Sequence, residues 1–148
     1  MATADRGGQL ALDLYAGVGL FTLPLARTFD QVLAVESSQD SLADLRFNVS
    51  ANVECIHATT ERFLIERGPK LAPDLVLVDP PRAGLGGKTA VALGRMSVSH
   101  VTYVSCDPAT LARDLRLLLE SGFRVEQAHL VDMFPQTFHM ETVLHLAR

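Results

Sequence analysis

Cysteine is scarce in this chain: Cys55 and Cys106 are the only two among 148 residues. Two thiols cannot build a disulfide framework, and no Cys-x-x-Cys or Cys/His spacing marks a structural zinc site. Both are expected to be reduced. Long apolar runs are missing as well: nothing approaches the roughly 18 residues of a membrane-spanning helix, and no basic segment with an apolar stretch and a cleavage site opens the chain. The expected location is the cytoplasm. Positive charge is in deficit, with 13 Lys and Arg against 17 Asp and Glu and a net charge of −4. Bulk electrostatics therefore give the chain no grip on a polyanion, and a nucleic-acid partner needs a local basic surface or another domain. The histidines match no metal motif: His57 and His145 fall in predicted strands and His100 and His129 at strand edges. His139-Met-Glu141 has the His-x-Glu of zinc deaminases without the Pro-Cys-x-x-Cys that should follow. No metal is expected.

What is present is a chain 48% hydrophobic and 20% charged, the size of one domain with a real core. Residues 1–8 read as a polar tail and residues 9–148 as that domain. From Gln9 onward apolar runs and amphipathic stretches alternate, the pattern of repeated βα units on a parallel sheet. Strands are predicted over Leu10–Tyr15, Val32–Val35, Val53–His57, Leu75–Val78, Val101–Ser105, Phe123–Val131 and Thr142–Leu146. Helices are predicted over Leu20–Phe29, Gln39–Val49, Thr60–Glu66, Lys88–Met96 and from Pro108, the last with Leu111, Leu115, Leu118 and Leu119 as its apolar stripe. Asp132–Met140 is long enough to reverse the chain, so the final strand is expected to run antiparallel in an otherwise mostly parallel, seven-stranded α/β sheet of Rossmann-like type.

The stretch Leu10–Ala26 organises the rest: an apolar run ending in Asp13, a Gly17-Val-Gly19 turn, and a helix. Glycines there let the backbone turn sharply and approach a ligand, and Asp13 falls at a strand's C-terminal end, where open α/β sheets bind ligands. Dinucleotide folds want a third glycine three residues on, and this chain has Thr22, so a nicotinamide-dependent oxidoreductase is the second choice. Asp-Leu-Tyr-Ala-Gly-Val-Gly followed by Val35-Glu36 instead resembles the S-adenosylmethionine (SAM) site of Rossmann-like methyltransferases. That likeness implies that Glu36 holds the ribose hydroxyls.

Three further clusters fall at loops on the same sheet edge: Asp79-Pro-Pro-Arg82, Ser105-Cys-Asp-Pro108 and His139-Met-Glu141. The prolines after Asp79 remove backbone donors and stiffen the turn, leaving the carboxylate and carbonyls as acceptors for a planar ligand. Cys106 precedes a helix start with Asp107 as cap and Pro108 as first residue. A helix N-terminus favours the thiolate, the attacking species, whereas the neighbouring Asp107 charge opposes it.

Taken in order, Leu-Asp-Leu-Tyr-Ala-Gly-Val-Gly-Leu-Phe-Thr, Asp-Pro-Pro-Arg-Ala-Gly-Leu, Tyr-Val-Ser-Cys-Asp-Pro-Ala-Thr-Leu-Ala-Arg-Asp and Phe-Pro-Gln-Thr-Phe-His-Met-Glu-Thr-Val resemble the uracil-5 RNA methyltransferases, which make 5-methyluridine in tRNA or ribosomal RNA. The resemblance implies SAM as cofactor and RNA as partner. It implies Cys106 as the nucleophile that attacks uracil C6, Glu141 as the base that removes the C5 proton, and Asp79 close to both cofactor and uracil. Tyr15, Gly17, Gly19, Leu20, Glu36 and Thr59 match cofactor-contacting positions, with Leu20 where many members carry asparagine and Thr59 where some carry another. The likeness covers the family's catalytic half, so RNA binding is expected to need an N-terminal RNA-binding domain that this chain lacks. A SAM-binding module inactive in isolation is the alternative.

Overall fold

The computed structural model describes residues 7–132, 136 and 140–148. Seven strands form one sheet: β1 (Gly8–Leu14), β2 (Phe29–Glu36), β3 (Val53–His57), β4 (Leu75–Val78), β5 (His100–Ser105), β6 (Arg124–Val131) and β7 (Glu141–Ala147). Their order is β3-β2-β1-β4-β5-β7-β6, and only β7 runs antiparallel, wedged between β5 and β6. The expected sheet is thus observed, including its reversed last strand. Among the described residues five α-helices connect it: α1 (Thr22–Ala26), α2 (Gln39–Asn48), α3 (Thr60–Glu66), α4 (Gly87–Gly94) and α5 (Pro108–Glu120).

Central strands are buried on both faces, so they read as unbroken apolar runs rather than alternating ones; Leu75–Val78 is buried throughout. On one face Leu12, Leu14, Val76, Val78 and Tyr103 pack with Phe63 and Leu64 of α3, Leu93 of α4 and Leu111 and Leu118 of α5. On the other, Ala11, Val32, Leu75 and Leu77 meet Leu25 of α1, while Ala34 meets Leu42 and Leu45 of α2. Among the described residues no helix is long and apolar enough to cross a membrane.

Most boundaries lie within two residues of the sequence expectation, and the larger departures have physical reasons. Helix α1 is Thr22–Ala26, not Leu20–Phe29. Gly19, at φ +103, keeps the residues before Thr22 in turns. Phe29, 4% exposed, is drawn into β2 instead, which begins there rather than at Val32. A 3-10 turn at Gly68–Lys70, unforeseen, precedes β4. The buried stripe of α5 is Leu111, Asp114 and Leu118, and Leu119 is 43% exposed. The helix turns an acid, not a fourth leucine, toward the sheet.

Candidate active site at the carboxyl edge of the sheet

The strand registers align the candidate residues along one edge. Leu14 pairs with Val35 and with Val78, so Tyr15, Glu36 and Asp79 each stand one position past the β1 pairings on adjacent strands, Glu36 as the last residue of β2. Because β7 is antiparallel, its first residue lies at the edge where the parallel strands end. Ser105 pairs with Thr142, which sets Cys106 and Glu141, 35 residues apart in sequence (141 minus 106), side by side just beyond that pair. Asp79 stands past Val78 on the neighbouring strand β4, near enough to Glu141 to feel its charge.

The first loop is held by its neighbours. Gly17 (φ +55) donates its N–H to Glu36 Oε2 at 2.8 Å, and Ser38 N–H donates to Glu36 Oε1 at 2.6 Å. The Glu36 carboxylate is thus fixed by two backbone amides, with lone pairs remaining. A Cβ added at Gly17 would meet nothing within 4 Å, so this glycine leaves open space above the loop. Tyr15, although not glycine, sits at φ +69, a conformation that costs a side chain about 1–2 kcal/mol. Such strain gathers at functional turns. Burial pushes the Tyr15 hydroxyl above its ordinary range, a hydrogen bond with Thr60 pulling the other way.

Asp13, expected at the cofactor, lies beneath the first loop. Its side chain is 1% exposed and accepts a hydrogen bond from the Thr22 hydroxyl at 2.5 Å. Its Oδ1 is buried without a partner among the described residues. Burial raises its pKa to about 7, with Asp79 and Glu36 adding repulsion. Asp13 supports the loop from beneath. Leu20, 73% exposed, and Thr59, which caps α3 by accepting from Arg62 N–H at 3.3 Å, both lie in loops near this edge. The structure gives neither a side-chain bond to the other candidates among the described residues.

Asp79 is half-buried, and desolvation, then the charge of Glu141, lifts its pKa to about 6. Cys106 is half-buried in a turn that Ser105 locks, its Oγ donating to Asp107 O at 3.0 Å and accepting from Asp107 N–H at 3.1 Å. The Asp107 carboxylate accepts from the N–H groups of Ala109 (3.0 Å) and Thr110 (2.8 Å), bonds that hold its pKa low. Its charge is engaged by the end of α5. His139 lies outside the described residues, among which no group of three or more His, Cys, Asp or Glu could hold a metal ion.

The sequence reading missed a polar cluster beneath this edge. Asp114, 0% exposed, accepts from the Tyr103 hydroxyl at 2.8 Å and Leu85 N–H at 2.6 Å through Oδ2, and from Arg113 Nε and Nη2 at 3.0 and 2.9 Å through Oδ1. Burial, then the bond to Asp114, pushes the Tyr103 hydroxyl far above its ordinary range. An acid at the third position after Leu111, inside a leucine stripe, was the available signal.

The sequence profile described as tRNA (Uracil-5-)-methyltransferase matches residues 1–64 and 69–148. An uncharacterized RNA methyltransferase of Thermotoga maritima is 36% identical over 98% of this chain and 34% of its own length. A 23S rRNA (uracil(1939)-C(5))-methyltransferase of Chromohalobacter salexigens is 40% identical over 98% of this chain and 30% of its own. Among solved structures, the Pyrococcus abyssi tRNA (uracil-54, C5)-methyltransferase in complex with S-adenosyl-L-homocysteine superposes with a TM-score of 0.83 at 33% identity, covering 99% of this chain and 36% of that one. The chain spans about a third of the length of these relatives.

Proposed function

The chain belongs to the tRNA (uracil-5-)-methyltransferase family, and from that premise we propose that it is the catalytic domain of an enzyme that methylates uracil C5 in RNA, with SAM as methyl donor. The observation that carries the reading is the register of β5 against β7, which brings a thiol and a carboxylate together beyond Ser105 and Thr142.

The donor set fits SAM. Open space over Gly17 suits close approach of a ligand, Glu36 offers fixed acceptors for ribose hydroxyls, and the negative edge formed with Asp79 and Glu141 suits a sulfonium and an ammonium group. When bound, SAM supplies the electrophilic methyl group that an activated C5 accepts.

Cys106 provides that activation. Uracil C5 is a poor nucleophile; attack of the Cys106 thiolate on C6 forms an Sγ–C6 bond and moves the C5=C6 electron pair onto C5 and the O4 carbonyl. After methylation C5 carries both a methyl group and a proton. Glu141 takes that proton, the C5=C6 bond re-forms, and Cys106 leaves as thiolate. Asp79, lifted to about 6, exchanges its proton near neutral pH and can donate to or accept from the uracil edge.

RNA is the proposed partner. With a net charge of −4, its capture is assigned to protein surface beyond this chain. The test is transfer of labelled methyl from SAM into RNA, followed by digestion to nucleosides. The label should appear in 5-methyluridine and vanish in Cys106→Ala. SAM binding without transfer by the protein at its natural length would favour a binding module instead.

A further inference from the structure

We propose that Asp114 is the positioning residue of this site: its buried carboxylate fixes the Asp79–Arg82 turn in place against Cys106. The inference rests on the reading of Cys106 and Asp79 given above.

Three chain segments meet at this one side chain. Tyr103, whose hydroxyl donates to Asp114 at 2.8 Å, lies in β5 three residues before Cys106 (106 minus 103). Asp114 itself is carried by α5, which starts at Pro108, two residues after Cys106 (108 minus 106). The third segment is the loop leaving Asp79. Leu85 N–H donates to Asp114 directly, Arg113 bridges Asp114 Oδ1 to Ala83 O at 2.8 Å, and the Thr110 hydroxyl donates to Arg82 O at 3.0 Å. Gly84, at φ +74, carries the loop so closely past the acid that a Cβ there would run into the Asp114 carboxylate. The loop is wrapped around the acid.

Packing alone does not call for a charge at this place. A carboxylate removed from water costs free energy that an apolar residue of similar volume avoids, and such groups are tolerated when every lone pair is matched. Here each oxygen accepts two hydrogen bonds, Oδ2 joining β5 to the loop after Asp79 and Oδ1 holding Arg113, which reaches the same loop at Ala83. Asp114 and Tyr103, 0% and 1% exposed, cannot touch substrate, so their effect must pass through the groups they hold. The cofactor loop after β1 and Glu36 share no hydrogen bond with this cluster among the described residues, which predicts that cofactor binding and uracil chemistry respond differently to its loss.

The experiment uses the protein at its natural length, RNA containing 5-fluorouridine, and saturating SAM. It follows the rate at which Cys106 is trapped, with SAM affinity by calorimetry and the thermal midpoint measured on the same samples. Asp114→Asn turns an acceptor into a donor facing Leu85 N–H or the Tyr103 hydroxyl. It should slow trapping about tenfold or more, the loss expected for a charged hydrogen bond, with SAM affinity within about twofold of the parent. Tyr103→Phe keeps the carboxylate and should slow trapping by a smaller factor. Leu118→Val, on the same helix and 0% exposed, should lower the thermal midpoint without slowing trapping. Parental trapping by Asp114→Asn overturns the proposal, as does equal slowing by Leu118→Val. If Asp114→Asn does not fold, Tyr103→Phe decides: parental trapping by that variant overturns the proposal too. If the parent itself fails to trap, the reading of Cys106 falls first and this inference with it.

Discussion

Asp79 and Glu141 place two carboxylates at one end of the sheet, and the proposed mechanism gives the C5 proton to Glu141. Glu141→Gln keeps the shape but cannot take a proton, so attack and methylation should proceed while elimination stalls. That variant should accumulate a methylated protein–RNA adduct with ordinary uracil RNA, seen as a band resistant to denaturing electrophoresis; turnover at the parental rate would remove Glu141 from the role. Asp13 makes a prediction of stability. Its folded pKa of about 7 lies above the 3.8 of an ordinary aspartate, so between those pH values the folded chain holds a proton that the unfolded chain has released. Stability should therefore fall as pH rises through that window, by up to about 1.4 kcal/mol per unit from this group. Asp13→Asn, neutral throughout, should lose that slope and equal or exceed the parent in stability at pH values above the window. Urea titrations across the range check it, and an unchanged slope would contradict it.

The elements show where sequence patterns suffice and where they fail. Strands β3 and β4 and helix α3 were legible to the residue, because buried parallel strands are short apolar runs and α3 carries Thr59 as its cap before Phe63 and Leu64. The edge carrying Asp79 and Cys106 was legible too, since each follows the last residue of a parallel strand. Helix α1 was overextended because Leu20 and Phe21 continue its apolar composition, while the positive φ of Gly19 is invisible to composition. The Asp13–Thr22 bond was not legible, because a strand-end acid looks the same whatever it faces, here a threonine nine residues on (22 minus 13). Asp114 was missed because its partners come from β5 and the β4–α4 loop, and periodicity within α5 cannot show a tertiary acceptor. The tight passage of that loop has a stability consequence. Gly84→Ala combines a disfavoured φ with a collision against Asp114, and denaturant unfolding should show a loss of about 1–3 kcal/mol; a loss below about 0.5 kcal/mol, the range of ordinary surface substitutions, would contradict the observed packing.

For the whole molecule, the acidic balance and the convergence at the carboxyl edge of the sheet lead to different expectations. A net charge of −4 offers little counterion release, so this chain alone should bind RNA weakly. Submicromolar binding at physiological salt in a fluorescence titration would reveal a basic surface that the composition hides. The proposed chemistry rests instead on one thiol, Cys106, that the β5–β7 register sets beside Glu141. Intact-mass and peptide mass spectrometry of the protein at its natural length, incubated with SAM and RNA containing 5-fluorouridine, test this directly, because fluorine cannot leave C5 as a proton does and the adduct cannot resolve. The expected result is a protein–RNA species carrying one added methyl group, with the linkage mapped to Cys106. Absence of any adduct, or a linkage at Cys55, would contradict the account.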